Sequence, residues 1–196
     1  PEVIELIESN LPVVTIDRVF PNRISIASDN KKGITDLVSY IIKKGHTKIA
    51  YIHGRDSAVT RQRLTGFREV MRQHDIVVPQ EYIRETDYRD IQRTAIATAE
   101  LLKLPDPPTC ILFPDDYAAY GGINAIKAAG LRIPEDVSVA GYDGISLATK
   151  IEPKMTTIKQ DTKTMGMLAA EKLIALIEKP STTEITSVTV PGILLP

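Results

Sequence analysis

A chain of 196 residues, 43% hydrophobic and 25% charged, carries enough apolar material for one sizeable core or two small ones, which excludes a disordered or fibrous protein. With 24 Lys and Arg against 25 Asp and Glu the net charge is −1, and the basic residues are scattered, so no stretch has the footprint of a nucleic-acid grip. No apolar run approaches the roughly 20 residues that span a bilayer, and no signal peptide opens the chain; with a single cysteine this points to a reducing, cytoplasmic setting.

The chain opens at Pro1 inside what reads as a helix over residues 1–7, with no Met before it, so it is expected to be part of something longer. A strand is expected at 13–16. Next, Ile34, Leu37, Val38, Ile41 and Ile42 make one helical stripe, with Asp29 and Asn30 as cap candidates and Gly45 at its end. A strand at 48–52 precedes a helix at 61–74, and a strand at 82–85 precedes a helix at 90–103 that Asp90 can cap. After the turn at 104–108 come a strand at 110–113, a helix at 116–129 with Asp116 as its expected cap, and a second turn at 130–136. Strands at 137–140 and 156–159 and a helix at 163–178 complete the series. This alternation defines an α/β protein built from βα units around mostly parallel sheets.

In such sheets ligands bind beyond the carboxyl ends of the strands. Those positions hold Asp17 and Arg18, then 54–57 (Gly-Arg-Asp-Ser), Asp87 and Tyr88, Asp115 and Asp116, and Tyr142, Asp143 and Gly144. Carboxylates accept from hydroxyl groups, a guanidinium donates in a fork and an aromatic face covers an apolar ring face, so the aspartates, Arg63 and Tyr88 together suit a polyol. Each also has an ordinary structural role open to it: Asp143 as a turn former, Asp116 as a helix cap, Tyr88 as a loop aromatic, and Arg63 as a solvated side chain contributing little packing. His46, His53 and His74 lack partners at metal-ligand spacing, and His46 reads as a hydrogen-bonded structural residue. Cys110 lies in an apolar run and reads as a buried hydrophobe. No nucleophile elbow, Walker motif or dinucleotide fingerprint is present, so no catalytic residue, metal or cofactor is assigned.

Several separated stretches, in order, resemble the LacI/GalR family of transcription regulators. They are 12–18 (PVVTIDR), 28–30 (SDN) with Gly33, 45–54 (GHTKIAYIHG), 63–67 (RLTGF), Asp115 and Asp116 with Gly121, 130–143 (GLRIPEDVSVAGYD), and 155–161 (MTTIKQD) with Gly166. The resemblance implies a periplasmic-binding-protein-like fold, two parallel-sheet subdomains joined by three crossovers with a ligand cleft between them. The crossovers would fall near Asp29, Gln160 and Ser187. Residues 1–28 and 161–186 would then be one subdomain lacking its N-terminal part, and 30–160 with 187–196 the other. The resemblance also implies effector contacts at Arg63, Asp143, Asp115, Tyr88, Asp17 and Gln160. Asp115 departs from the family's usual Asn, and Val59 replaces a small hydroxyl residue.

The function it implies is sensing of a small, sugar-like effector to control operator DNA through a helix-turn-helix headpiece not in this chain, by a homodimer with no membrane part. A solute-binding protein of a sugar transporter is the alternative, and an α/β enzyme using Asp115, Asp116 or Asp143 is a third reading.

Overall fold

The computed structural model describes residues 2–196. In chain order the elements are α1 (Glu2–Glu8), β1 (Val14–Ile16), β2 (Ile24–Ser28), α2 (Asn30–Lys43), β3 (Ile49–His53), α3 (Ala58–Gln73), a 3₁₀ turn (Gln80–Tyr82), β4 (Ile83–Glu85), α4 (Ile91–Leu102), β5 (Cys110–Leu112), α5 (Asp116–Ala128), β6 (Ser138–Ala140), α6 (Ser146–Lys150), β7 (Thr157–Lys159), α7 (Thr162–Glu178), β8 (Ser187–Val190) and β9 (Ile193–Leu195). They form two compact units, one running to Asp29 and resuming over Gln160–Gly192, the other comprising Asn30–Lys159 and Ile193–Pro196.

In the first unit the parallel strands lie in the order β1-β2-β8. Ile24, Ile26 and Val190 from this sheet bury against Met165 of α7, with Val14, Leu168 and Leu176 packed around them. Asp161 starts α7, its carboxylate accepting from the Thr164 amide at 3.0 Å.

In the second unit four parallel strands lie in the order β4-β3-β5-β6. β3 is buried at all five positions and β5 at all three, as expected of strands covered on both faces. Alternation divides the core: Ile49, Tyr51, Cys110 and Leu112 face α2 and α3 through Leu37, Val38, Phe67 and Met71. Ala50, Ile52 and Ile111 face α4 and α5 through Ala97, Leu101, Ile123 and Ile126. Parallel bridges Ala140–Thr156 and Asp143–Lys159 set β7 beside β6, and β9 pairs antiparallel with β7.

Three differences from the sequence reading have local causes. The third boundary falls after Gly192 rather than near Ser187, because β8 completes the first unit's sheet, with Ser25 opposite Ser187 and Ser28 opposite Val190. The cap of α5 is Asp115, not Asp116: Asp115 is extended at φ −158° and its Oδ1 accepts from the Ala118 amide at 2.8 Å, leaving Asp116 inside the first turn. Periodicity alone leaves β2, β8 and β9 unmarked: Ser and Thr alternate with the apolar residues of β2 and β8, and Pro191 and Gly192 interrupt β8 and β9.

Candidate functional site

The carboxyl ends of β3, β4, β5 and β6 supply the loops around residues 54–57, 86–89, 113–116 and 141–145 of the second unit. α3 starts from Ser57, whose Oγ accepts from the Thr60 amide at 3.0 Å. Thr60, Arg63, Phe67 and Val70 recur at helical spacing on its buried face, which aims Arg63 at these loops.

Arg63 is 3% exposed. Its Nε donates to Asn30 Oδ1 at 2.8 Å and its Nη1 to the Pro114 carbonyl at 2.9 Å. Its Cζ lies 3.4 Å from the Tyr142 ring centroid, a stacked cation–π contact. Its Nη2 stands 4.0 Å from Asp143 Oδ1. This corrects the expectation of a side chain with little packing: the guanidinium is wedged between Asn30, Pro114 and Tyr142.

Asp143 has φ 103°, a left-handed value that costs a non-glycine residue about 1–3 kcal/mol. Its amide donates to the Ile158 carbonyl at 2.9 Å. Gly144 follows at φ 65°, where a Cβ would stand 2.3 Å from Lys159 Cα, so both the turn and the close approach to β7 require glycine. Asp116, fully buried, braces the same loop. Its Oδ2 accepts from the Ile145 amide at 2.8 Å and its Oδ1 from the Thr157 hydroxyl at 2.7 Å. Thr157 Oγ1 in turn accepts from the Gly144 amide at 3.3 Å. Burial pushes the Asp116 carboxyl up to about 7; the Thr157 and Ile145 hydrogen bonds pull the other way.

Asp115 lies beside Arg63's acceptor Pro114, and both its oxygens serve the backbone: Oδ1 caps α5 and Oδ2 accepts from the Arg89 amide at 2.7 Å. That second bond ties the loop carrying Tyr88 to the end of β5. Tyr88 is half-exposed, its ring against Gly54 and its hydroxyl 2.9 Å from Thr60 Oγ1. Arg55 and Arg93 both pair with Asp87 beside it. Tyr88, Asp115 and Asp143 are thus carried by strand ends of one sheet and Arg63 reaches them from α3, whereas Asp17 and Gln160 belong to the first unit. Asp17 has φ 57°, and its Oδ1 accepts from the Ser28 amide at 3.0 Å.

The family resemblance implies no contact at Asn30, Thr60, Asp116 or Tyr142, although Asp116 and Tyr142 stand among the strand-end positions read from the sequence. The one signal they share in the sequence is a position at a helix start or strand end. His46 holds Thr109 Oγ1 at 2.9 Å through Nδ1, consistent with a structural residue, and burial lowers its pKa. Among the described residues no group of three His, Cys, Asp or Glu could hold a metal ion, and no helix is long and apolar enough to cross a membrane.

A donor and an acceptor 4.0 Å apart are spaced for a hydroxyl that accepts from one and donates to the other. Parallel βα units with polar groups at the strand ends are the arrangement of a ligand-binding α/β protein. Residues 38–195 match the periplasmic binding protein-like domain family. The chain belongs to that family, in its LacI-type branch of transcription regulators.

It is 37% identical over 178 residues to a Bacillus subtilis protein named "Probable HTH-type transcriptional repressor ExuR", covering 89% of this chain and 53% of the relative. The crystal structure of a LacI-type regulator from Bacillus cereus superposes with TM-score 0.90 at 30% identity, over 98% of this chain and 69% of the other. A LacI family transcriptional regulator from Enterococcus faecium with bound ribose matches with TM-score 0.84 at 26% identity, over 94% and 68%. The chain spans about half the length of the curated relatives it matches.

Proposed function

We propose that this chain is the effector-sensing part of a LacI/GalR-type transcription regulator, and that it binds a sugar or sugar derivative at the strand ends of its second unit. The observation that carries the reading is the Arg63–Asp143 pair, a buried, fork-bound guanidinium facing a carboxylate at 4.0 Å. One sugar hydroxyl accepts from Nη2 and donates to Oδ1. Tyr88 presents its half-exposed ring to the apolar face of the sugar. Asp115, with both oxygens on backbone amides, orders the Tyr88 loop rather than receiving the ligand.

The ribose-bound Enterococcus faecium regulator supports a sugar as the ligand class. Relatives named as repressors and regulators favour regulation over transport and over catalysis. Control of operator DNA and pairing into a homodimer are assigned to the longer parent protein, in a cytoplasmic setting.

The test is a thermal-shift screen with D-ribose, D-glucose, sugar phosphates and purines, since a ligand that binds only the native state raises the melting temperature by mass action. A shift with a sugar that disappears in Asp143→Ala is the expected result. A shift with none of the sugars, or one unaffected by Asp143→Ala, overturns the reading.

A further inference from the structure

We propose that Asp116 is the positioning residue of this site: its buried carboxylate holds the 143–145 loop so that Asp143 faces Arg63. The proposal rests on the sugar-binding reading above and deepens it.

Three observations converge on the loop. Asp143 sits at φ 103°, and such a conformation persists only where its surroundings over-determine it. Residues on both sides of it are tied down: the Tyr142 carbonyl accepts from the Asp116 amide at 2.9 Å, and the Ile145 amide donates to Asp116 Oδ2 at 2.8 Å. Between them, Gly144 N–H, the Thr157 hydroxyl and Asp116 Oδ1 form a relay of 3.3 Å and 2.7 Å. Asp116 therefore holds the chain before and after Asp143, by its own amide and by its carboxylate, without itself meeting the ligand. Gly141 leaves the room for this, since a Cβ there would lie 2.3 Å from Asp116 Oδ1.

Only the carboxylate accepts fully from both the Ile145 amide and the Thr157 hydroxyl; a protonated carboxyl turns one of its oxygens into a donor. Taking up a proton therefore loosens the loop, and burial has brought that proton exchange to about neutral pH. The charged and titratable groups around Asp116 are Asp143 on the loop, whose charge raises its pKa, and Asp115 preceding it at the cap of α5. Arg63 reaches in from α3 to the Pro114 carbonyl, and Lys159 stands on β7 against Gly144. The positive charge of Arg63 is directed at Asp143, not at Asp116. Sugar affinity should thus fall as pH drops through neutral.

The experiment is an amide NMR titration of the 196-residue chain and its Asp116→Asn and Thr157→Val variants from about pH 5 to about pH 8.5, combined with calorimetric titration of D-ribose and D-glucose. In the unmodified chain the Gly144 and Ile145 amide resonances and the Asp143 φ-dependent coupling should move together, with a midpoint near the Asp116 value. In Asp116→Asn that movement should vanish, and sugar affinity should fall about tenfold and lose its dependence on pH. Thr157→Val keeps the carboxylate and removes the relay; it should lower affinity less and decides the question if Asp116→Asn does not fold. Loop resonances that ignore pH, or that titrate equally in the Asn variant, overturn the proposal. So does an Asn variant that binds sugar as tightly, and with the same pH profile, as the unmodified chain. If no sugar binds at all, the sensing reading fails, and the loop resonances still decide whether Asp116 sets the conformation of Asp143.

Discussion

The guanidinium carbon of Arg63 lies 3.4 Å from the centroid of the Tyr142 ring, so the cation proposed to meet the ligand also roofs the second unit's core. Tyr142 is itself buried and belongs to the cluster that α2 and α3 close. Arg63→Ala should therefore cost folding stability as well as binding. It removes the stack and leaves Asn30 Oδ1 and the Pro114 carbonyl without their donor, a loss of about 2–4 kcal/mol. Arg63→Lys, which keeps the charge but not the planar fork, should recover less than half of it. Urea unfolding of the three proteins gives the comparison, and equal midpoints would show that the stack carries no stability.

Gly33 on α2 lies against the hydroxyl end of the same side chain. A Cβ there would stand 2.2 Å from Tyr142 Oη and 3.3 Å from Ile158 Cγ2. Gly33→Ala gains helix propensity but forces the phenol, and with it the guanidinium above, out of place. The clash should outweigh the propensity and cost about 1–3 kcal/mol, with weaker sugar binding alongside. A melting temperature at or above that of the parent would mean that the Tyr142 ring can shift without loss.

Asp115 separates capping from ligand contact. Asn keeps the cap through its one oxygen but turns its NH2 toward the Arg89 amide, so Asp115→Asn should lose about 1 kcal/mol and free the loop at Arg89 while the cap holds, whereas Asp115→Ala should lose about 1–3 kcal/mol with cap and loop together. Hydrogen exchange at the Arg89 amide reports that loop directly. If sugar affinity collapses in Asp115→Asn while this amide stays protected, Asp115 meets the ligand after all.

The residues that could be read from the chain are those whose local chemistry and packing agree. β3 and β5 are apolar because both faces are covered, and Ile34, Leu37, Val38 and Ile41 show α2 because one stripe meets the sheet. Arg63 and Asp143 stand out through the family resemblance. The partners that give them meaning do not, because Asn30, Pro114 and Tyr142 come from three separate stretches that meet only when the sheet order β4-β3-β5-β6 is set. Asp116 reads as a cap of α5 for the same reason. In the sequence, two adjacent aspartates before a helix are equivalent as caps; the extended backbone of Asp115 with its bond from the Ala118 amide, and the bonds of Asp116 from Thr157 and Ile145, tell them apart.

Cys110 opens β5 with 1% exposure, and burial pushes its thiol up to about 12. The reactive species is the thiolate, so at neutral pH the native chain should be inert to an aromatic disulfide reagent and should release one equivalent of thiol only on unfolding. The rate of modification in the absence of denaturant then measures opening of the sheet. Rapid labelling of the native chain would place Cys110 at the surface.

Asp116 should also leave a signature on stability, with a sign opposite to that of a salt-bridged carboxylate. Its pKa is 3.8 when unperturbed and about 7 in the fold, chiefly through burial. Below the lower value both states hold the proton and the group contributes no pH dependence. Between the two values the unfolded chain has ionised while the native chain still binds a proton, so stability falls as pH rises, and above about 7 it levels off. Asp116→Asn cannot ionise, and the stability difference between it and the parent should shift by about 1–3 kcal/mol against the parent from about pH 5 to about pH 8. Urea midpoints of both proteins at the two pH values isolate this group from every other carboxylate. The same ionisation that fixes the Asp143 loop costs the fold stability, as expected where a binding site is held in a strained conformation. A difference that stays constant with pH would mean that Asp116 keeps an ordinary carboxylate pKa in the native chain, and that its hydrogen bonds from Thr157 and Ile145 offset its burial in full.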